Sequence, residues 1–339
     1  MNPLQNRQVF LASRPSGIPQ AEHFGIRTVP VADLREGEVR VRNVYLSVEP
    51  AMRGWVNAVG NYSEPVAVGD VMRAFTAGVV EASRSAAIAE GSWATGMLGW
   101  QDHAVVDAAK IDRVITERDL PLSTSLGIMG INGVTAHYGL LTIGKPQAGE
   151  TVVVSTAAGS VGSCVGQIAH IKGCRTVGIA GGETKRRLCL DAFGFDAAVD
   201  YKAPDLVDRL REACPQGVDV YYDNTAGAIS DAVTDLLHPG ARIIVCGTAS
   251  VASWDPPPQG PRIERKMLVS RARMQGFVIF DHPEHGPVAR QALAQWLREG
   301  KLRYQEDILE GIEHAPDAIA GLYRGDNLGK RLIQIAPAP

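Results

Sequence analysis

The chain has 339 residues and nearly balanced charge, with 34 basic and 37 acidic side chains and a net charge of −3. This length is enough for two domains, each with its own core. Because the charges are spread along the chain and form no basic patch, the sequence excludes nucleic acid as a partner. Two long uncharged segments, 120–144 and 151–171, contain several glycines and scattered polar residues, so neither is predicted to span a membrane.

The N-terminus and the cysteines indicate the compartment and the absence of cross-links. Residues 1–8 lack the basic start and apolar stretch of a signal peptide, which predicts a cytoplasmic protein. The number of cysteines is odd and none forms a Cys-x-x-Cys pair, so no disulfide framework is predicted. No local group of histidines and cysteines has zinc-ligand spacing, and we therefore predict no metal.

The first part of the chain, to about residue 125, has the pattern of a β-rich domain. Residues 37–46 alternate apolar and polar side chains, the period of a half-buried strand. Further strands are predicted at 68–80, 97–106 and 111–115. Apolar residues at helical spacing, with many small ones among them, then predict closely packed helices over 125–141.

From residue 150 onward, predicted strands and helices alternate. The strands lie at 151–154, 175–180, 197–201, 218–223, 241–247 and 274–280. The helices begin at 163 and then lie at 185–193, 206–213, 229–237 and 288–299. Such alternation predicts an α/β fold with a doubly wound parallel sheet covered on both faces. One more helix and one more strand are predicted at 312–323 and 330–335.

The strand–turn–helix at 150–166 contains small residues at the spacing of a dinucleotide fingerprint. Ala157, Gly159 and Gly162 occupy the three fingerprint positions, where small residues let backbone amides and a helix N-terminus approach a pyrophosphate. Because alanine replaces the first glycine, the pattern alone fits an ordinary glycine-rich turn equally well. The repeated strand–helix alternation around it supplies the required context and favours dinucleotide binding.

The end of the second strand predicts which dinucleotide is bound. NAD-binding folds place an acid there for the ribose 2′-hydroxyl, whereas this strand ends Ala180-Gly181-Gly182. The cations Lys185, Arg186 and Arg187 follow, and cations at a helix N-terminus oppose the macrodipole unless an anion pairs with them. We therefore predict NADP rather than NAD, the alternative being a solvated basic first turn.

The proline-rich segment 255–261 interrupts the alternation. Its proline density excludes the interior of a strand or helix and predicts a semi-rigid loop. Two interpretations stay open, a cover over the active site and a plain surface connection.

Several motifs in order make the whole chain resemble a known family. They are Leu46-Ser-Val-Glu-Pro-Ala-Met-Arg53, Gly99-Trp-Gln101, Gly133-Val-Thr-Ala136, Ala157-Ala-Gly-Ser-Val-Gly162, Ala180-Gly-Gly-Glu-Thr-Lys185, Tyr222-Asp-Asn-Thr225, Cys246-Gly247, Met274-Gln-Gly-Phe277 and Asn327-Leu-Gly-Lys330. The chain resembles the medium-chain dehydrogenase/reductase superfamily, within it the zinc-independent leukotriene B4 dehydrogenase/prostaglandin reductase group, which includes curcumin reductases and double-bond reductases. The resemblance implies a GroES-like catalytic domain (1–125 and 305–339), a Rossmann NADP-binding domain (126–304) and a homodimer.

The resemblance also implies the cofactor-binding residues. They are Ala158, Gly159, Ser160, Val161, Gly162, Gly181, Lys185, Tyr201, Asn224, Cys246, Gly247, Phe277 and Asn327. Lys185 and Tyr201 match contacts to the 2′-phosphate, and Asn224 and Asn327 match residues on the nicotinamide side. Each has a plainer interpretation: Tyr201 packs at a strand end, and the two asparagines form turns.

The activity implied by the resemblance is NADPH-dependent reduction of the carbon–carbon double bond of α,β-unsaturated ketones and aldehydes, which are small-molecule substrates. Arg53 matches an arginine beside the substrate. The sequence departs from the family where relatives carry tyrosines, at Ala51 and in the segment 251–254, which includes Ala252. These departures leave the proton donor unassigned and predict a differently shaped pocket.

The remaining candidates for the pocket are Tyr62, Tyr138 and Trp254, and His137 is either a donor or a packed residue. Two other functions stay open. One is a zinc-free quinone reductase on the same scaffold, and the other is an NADPH-binding sensor or structural protein with little catalysis.

Overall fold

The computed structural model describes residues 3–58, 62–251, 256 and 258–339. Trp254, Ala252 and two residues of the proline-rich segment, Asp255 and Pro257, lie outside the described residues. The chain divides into two compact units. We name residues 1–126 with 306–339 the β-rich unit and residues 127–305 the parallel-sheet unit.

The β-rich unit is built from short strands with few helices. Its first elements are β1 (Gln5–Leu11), β2 (Phe24–Pro30), β3 (Glu38–Ser47), α1 (Met52–Trp55), β4 (Thr76–Ser83), β5 (Trp93–Gly96), β6 (His103–Asp107) and β7 (Ile111–Val114), and the C-terminal return adds β14 (Glu306–Glu310), α9 (Ala315–Arg324) and β15 (Lys330–Gln334). Within the described residues, one sheet has the order β14-β15-β3-β4-β5-β7, with β6 also paired to β3. Strands β1 and β2 form a separate antiparallel pair.

Strand β3 organises the core of the β-rich unit. Its first half alternates buried and half-buried positions, as the sequence period predicts, and its second half is buried throughout. Met52, Met72 and Leu46 are fully buried in the main apolar cluster, and each such side chain stabilises the fold by about 1.5–3 kcal/mol. The indole of Trp100 lies in the same cluster and donates to the carbonyl oxygen of Ser47 at 3.1 Å.

Two strand predictions for the β-rich unit are wrong in part, and several of its strands were missed. The strand predicted at 68–80 begins only at Thr76, because a turn occupies residues 68–70. The strand predicted at 97–106 begins at His103, and the preceding strand is β5, which the apolar pattern did not reveal. Strands β1, β2 and β14 were also missed, because each has several exposed positions and little periodic signal.

The parallel-sheet unit alternates strands and helices. Its elements are α2 (Ile131–Tyr138), β8 (Thr151–Ser155), α3 (Ser160–Ile171), β9 (Arg175–Ala180), α4 (Glu183–Arg187), β10 (Ala197–Asp200), α5 (Leu206–Ala213), β11 (Val218–Asp223), α6 (Gly227–Thr234), β12 (Leu237–Val245), α7 (Glu264–Ser270), β13 (Arg273–Gly276) and α8 (His285–Arg298). In the described part of the chain, these strands form a six-stranded parallel sheet ordered β10-β9-β8-β11-β12-β13. This order confirms the predicted doubly wound α/β architecture, whose ligands bind where the order reverses, outside the carboxyl ends of β8 and β11.

Strands β8 and β9 of this sheet are buried on both faces, and their interiors consist mostly of β-branched residues. All five residues of β8 are buried, and five of the six in β9 are buried. No helix in the described residues has the length and apolar character needed to cross a membrane.

Element boundaries account for the errors in the parallel-sheet unit. The helix predicted at 229–237 ends at Thr234, because β12 begins at Leu237. The strand predicted at 274–280 ends at Gly276, and a 3₁₀ turn begins at Ile279. The helices predicted at 125–141 and 185–193 each continue into a π-helical segment, at Gly139–Gly144 and Leu188–Ala192. Helix α7 was not predicted.

Candidate cofactor and substrate site

The predicted cofactor residues of the parallel-sheet unit lie at one edge of its sheet. Each of the six strands is followed by at least one of them: residues 158–162 after β8, Gly181 and Lys185 after β9, Tyr201 after β10, Asn224 after β11, Cys246 and Gly247 after β12, and Phe277 after β13. Parallel strands present their carboxyl ends at the same edge, so the structure brings these residues to one side of the sheet. Asn327 belongs to the β-rich unit.

The turn between β8 and α3 explains why an alanine is accepted in the fingerprint. The left-handed backbone of this turn falls on Thr156, with φ of 50°, and not on Ala157. The first fingerprint position therefore does not need the conformational freedom of glycine. It does need a small side chain, because Ala157 packs against Gly178 so closely that a Cβ placed on Gly178 would lie 2.8 Å from the Cβ of Ala157. A tight turn is formed without the first glycine.

The other two fingerprint positions are crowded by the turn itself, Gly162 so closely that only glycine fits. A Cβ at Gly162 would lie 2.2 Å from the carbonyl oxygen of Thr156, and one at Gly159 would lie 3.1 Å from the same oxygen. Helix α3 begins after Gly159 without a side-chain cap, so its first-turn N–H groups point outward from the turn. This close, uncapped helix N-terminus fits the pyrophosphate of a dinucleotide.

The ends of β9 and β10 form the part of the edge predicted for the 2′-phosphate. The ring of Tyr201 lies so close to Gly181 that a Cβ there would approach it to 2.7 Å. Arg186 and Arg187 both pair with Glu183, so these two cations are already engaged. Lys185 is half-buried on the same short helix, α4. The glycine thus makes room for an aromatic ring beside a cluster of cations.

Asn224 links the two central strands at the point where the strand order reverses. Its side-chain amide donates to the carbonyl oxygen of Ser155 at 2.7 Å, and its backbone N–H donates to the Ser155 hydroxyl at 2.8 Å. Asn224 is therefore fixed by the end of β8 and is not a freely rotating turn residue.

A buried carboxylate, which sequence reasoning missed, organises the segment after β11. Asp223 is 3% exposed and accepts the backbone N–H groups of Thr225 and Ala226 and the hydroxyl of Ser230. These bonds hold Ala226 at φ 58° and ψ −164°, a conformation that L-residues rarely adopt. The signal in the sequence was an acid directly after the apolar run Val220-Tyr221-Tyr222.

The ends of β12 and β13 complete the edge. The backbone N–H groups of Cys246 and Gly247 both donate to the carbonyl oxygen of Asp223, at 2.8 and 3.1 Å. Burial raises the pKa of the Cys246 thiol to about 12, so it is not a thiolate at neutral pH. Phe277 packs its ring against Tyr138, with centroids 5.5 Å apart.

Tyr138 and His137 lie in a cluster of aromatic and titratable rings. The Tyr138 hydroxyl is hydrogen-bonded to Nε2 of His282 at 2.9 Å, and the two rings are stacked. Nδ1 of His137 lies 3.1 Å from Nε2 of His285. Tyr138 and His137 are buried, at 8% and 7% exposure. The two contacts above mean that their polar atoms already have partners inside the parallel-sheet unit.

The β-rich unit carries the remaining candidates on two segments. Arg53 lies on α1 with its guanidinium 4.8 Å above the ring of Tyr323, and its buried Nη1 has no hydrogen-bond partner among the described residues. Tyr62 is half exposed, at 50%. The side chain of Asn327 donates to the carbonyl oxygen of Gly329 at 2.7 Å.

Within residues 3–58, 62–251, 256 and 258–339, no group of three or more His, Cys, Asp or Glu side chains has the geometry of a metal site.

Two family models match the chain in the order of its units. Residues 7–114 match a model described as the N-terminal domain of oxidoreductase, and residues 160–295 match one described as zinc-binding dehydrogenase. Together they define the chain as an oxidoreductase of the medium-chain dehydrogenase/reductase class.

Relatives that cover nearly the whole chain identify its family within this class. The chain is 44% identical to a putative NADP-dependent oxidoreductase, YfmJ, of Bacillus subtilis, over 97% of this chain and 98% of that protein. It is 42% identical to the NADPH-dependent curcumin reductase of Escherichia coli (98% and 97% covered) and 34% identical to a tobacco 2-alkenal reductase (98% of each). The crystal structure of CurA from Vibrio vulnificus in complex with NADPH is 41% identical, with a TM-score of 0.91 over 98% of this chain and 99% of that one.

These similarities confirm the resemblance drawn from the motifs. The chain belongs to the zinc-independent family of the medium-chain dehydrogenase/reductase superfamily that contains the curcumin, prostaglandin and 2-alkenal reductases. The GroES-like and Rossmann fold classes predicted for its two parts are confirmed with it.

Proposed function

We propose that this chain is an NADPH-dependent reductase of the carbon–carbon double bond of α,β-unsaturated ketones and aldehydes. The observation that supports it most is the edge of the parallel sheet, where all six strands deliver residues predicted to bind NADP. The turn at that edge has the crowded glycine that a dinucleotide site requires. Relatives with 34–42% identity carry the names 2-alkenal reductase and NADPH-dependent curcumin reductase.

The residues of the parallel-sheet unit are proposed to bind and orient the cofactor. NADPH, when bound, supplies the hydride that adds to the β-carbon of the enone. The N–H groups of residues 158–162 hold the pyrophosphate, and Lys185 and Tyr201 hold the 2′-phosphate. Asn224, fixed to Ser155, presents a rigid polar group on the nicotinamide side. Gly181, Cys246, Gly247, Phe277 and, from the β-rich unit, Asn327 complete the proposed set.

Residues of the β-rich unit are proposed to face the substrate. Hydride addition moves negative charge onto the carbonyl oxygen, and a donor aimed at that oxygen lowers the barrier. Arg53 has a buried N–H group without a protein partner among the described residues, which suits this role. Tyr62, which is 50% exposed, is the phenol proposed to deliver a proton. Trp254 remains a proposed wall of the pocket.

The proposal is tested by NADPH consumption, followed as loss of absorbance, with three substrate classes. We expect turnover with α,β-unsaturated ketones and aldehydes, and none with the saturated ketones of the same carbon skeleton. Faster turnover with quinones than with any enone would favour the quinone reductase instead. Tight NADPH binding without turnover across a broad enone panel would favour a sensor. Turnover with saturated ketones alone would contradict all three.

The choice of NADPH over NADH predicts the effect of Lys185→Ala. Loss of one charge-assisted contact to the 2′-phosphate is expected to raise the Kd for NADPH by roughly 10-fold or more and to leave the Kd for NADH unchanged. The matched control is Arg187→Ala on the same helix, since Arg187 already pairs with Glu183. Titration of both cofactors by fluorescence measures the two constants. An equal loss for NADPH and NADH would show that Lys185 has only a structural role.

The free edge of the sheet supports the homodimer. Among the described strands, β13 pairs only with β12, and all four of its residues are exposed. Leu268, Val269 and Met274 near this edge are 78%, 59% and 43% exposed. An unpaired strand edge with exposed apolar side chains beside it favours association with a second copy.

We expect light scattering to give twice the chain mass of 36.2 kDa, and Met274→Asp to shift the protein toward the monomer. Val68→Asp, a control at an exposed valine of the β-rich unit, is expected to leave the mass unchanged. A wild-type monomer would contradict the proposal.

The five free cysteines fit a reducing compartment, and we propose a cytoplasmic location on that basis.

A further inference from the structure

A buried lysine in the β-rich unit joins two segments that are far apart in the sequence. Lys330 is 4% exposed at the start of β15, and its ammonium group reaches the end of β3. Its Nζ donates to the hydroxyl of Ser47 at 2.7 Å, to the carbonyl oxygen of Val48 at 3.0 Å and to Oε1 of Glu49 at 2.6 Å. An ammonium group has three N–H donors, so all three are used on three consecutive residues.

The acceptors are themselves fixed. Glu49 is 6% exposed, and its Oε1 also accepts the hydroxyl of Ser47 at 2.6 Å. The carbonyl oxygen of Ser47 accepts the indole N–H of Trp100. Glu306 lies opposite Lys330 in the β14–β15 pair, and burial raises the pKa of its carboxyl group. Since Ser47, Val48 and Glu49 are held together, the path of the chain into the next turn is fixed.

That turn carries Arg53, and the C-terminal return contacts it again. The hydroxyl of Tyr323 donates to the carbonyl oxygen of Pro50 at 3.0 Å, and its ring lies under the guanidinium of Arg53. Asn327, the other proposed site residue of this unit, lies three residues before Lys330. One segment, 323–330, thus contacts Ser47, Val48, Glu49, Pro50 and Arg53, on the stretch that leads to the proposed substrate side.

We infer that Lys330 is a positioning residue. Its three hydrogen bonds to Ser47, Val48 and Glu49, which we name the clamp, fix the turn that carries Arg53 (the Arg53 turn) relative to the turn that carries Asn327 (the Asn327 turn). Neither Lys330 nor Glu49 touches the reacting atoms in this role. Arginine cannot replace the clamp, because its planar fork does not converge on three acceptors around one nitrogen. The inference rests on the proposed function only where it concerns catalysis.

The decisive variant replaces both charges, as Lys330→Met with Glu49→Met. A buried ion pair can be exchanged for apolar side chains without loss of stability, whereas removal of one partner alone is strongly destabilising. The double variant is therefore expected to fold with a Tm near that of the wild type while lacking the clamp. The matched control is Arg331→Met with Asp307→Met, which replaces both charges of a neighbouring ion pair that does not reach the Arg53 turn.

Two measurements follow. Amide hydrogen exchange in segments 48–56 and 325–330 is expected to accelerate at least about 10-fold in the double variant and to stay unchanged over 48–56 in the control. With an enone, kcat/KM is expected to fall at least about 10-fold, and by less than about threefold when Arg53→Ala is already present. Such non-additivity shows that the clamp acts through Arg53, which a purely structural role would not produce.

Wild-type exchange rates in both turns of the folded double variant would overturn the inference. So would a loss of kcat/KM that adds fully to that of Arg53→Ala. If the wild type reduces no enone, the proposed function fails, and hydrogen exchange alone decides the positioning role. If the double variant does not fold, Glu49→Gln keeps the shape of the clamp without its charge and is measured in the same way.

Discussion

Replacing Gly162 with alanine is expected to lower the affinity for NADPH by about 100-fold. The added Cβ would lie 2.2 Å from the carbonyl oxygen of Thr156 and 3.0 Å from the Cα of Ala157. Both neighbours are backbone atoms of the turn, so the turn itself must move away from α3. The amides proposed to hold the pyrophosphate then lose their common direction, and titration of NADPH measures the loss.

The control for this change lies on the same helix. A Cβ at Gly166 would lie 1.9 Å from the ring of Phe195, a side chain that is remote from the turn along the chain. Gly166→Ala is expected to lower the Tm, because overpacking typically costs about 1–3 kcal/mol, but to leave NADPH affinity within about twofold. NADPH binding by Gly162→Ala at the wild-type level would show that this turn does not hold the pyrophosphate.

Local signals in the sequence predicted the strands of the parallel sheet. Strands β8 and β9 are apolar runs followed by small or polar residues, so their ends are recognisable from the local sequence, whereas the end of β13 was predicted four residues too late. Doubly wound topology then places all those ends at one edge, which the structure confirms. The substitution of alanine at position 157 was explained only by the backbone, because the left-handed residue is Thr156.

Contacts between distant residues were not predictable in the same way. Lys330 and Glu49 are 281 positions apart, and each alone has the pattern of a surface charge next to an apolar strand. Asp223 holds the N–H groups of Thr225 and Ala226 in a strained turn. The pattern of apolar and polar residues does not predict such a turn. Edge strands such as β14 were missed because half-exposed residues carry little periodic signal.

The histidine pair inside the parallel-sheet unit predicts a loss of stability in acid. Burial, together with the neighbouring His285 and Lys172, lowers the pKa of His137 to about 4. The pKa of His285 is lowered as well, mainly by burial, although Glu284 opposes this. With their ring nitrogens 3.1 Å apart, two charged imidazoles would repel each other, so the folded state keeps the pair uncharged.

We expect the free energy of unfolding to fall as the pH drops from about 6.5 toward 4, because the unfolded chain takes up a proton on His137 in that range and the folded chain does not. The loss attributable to this residue reaches at most about 3 kcal/mol near pH 4, since each pKa unit corresponds to about 1.4 kcal/mol. In His137→Gln, which keeps a hydrogen-bonding group, this pH dependence should be reduced. Urea unfolding between pH 4 and 8 measures it, with His170→Gln at an exposed position of α3 as the control. Parallel stability curves for His137→Gln and the wild type would mean that the pair is protonated in the folded protein.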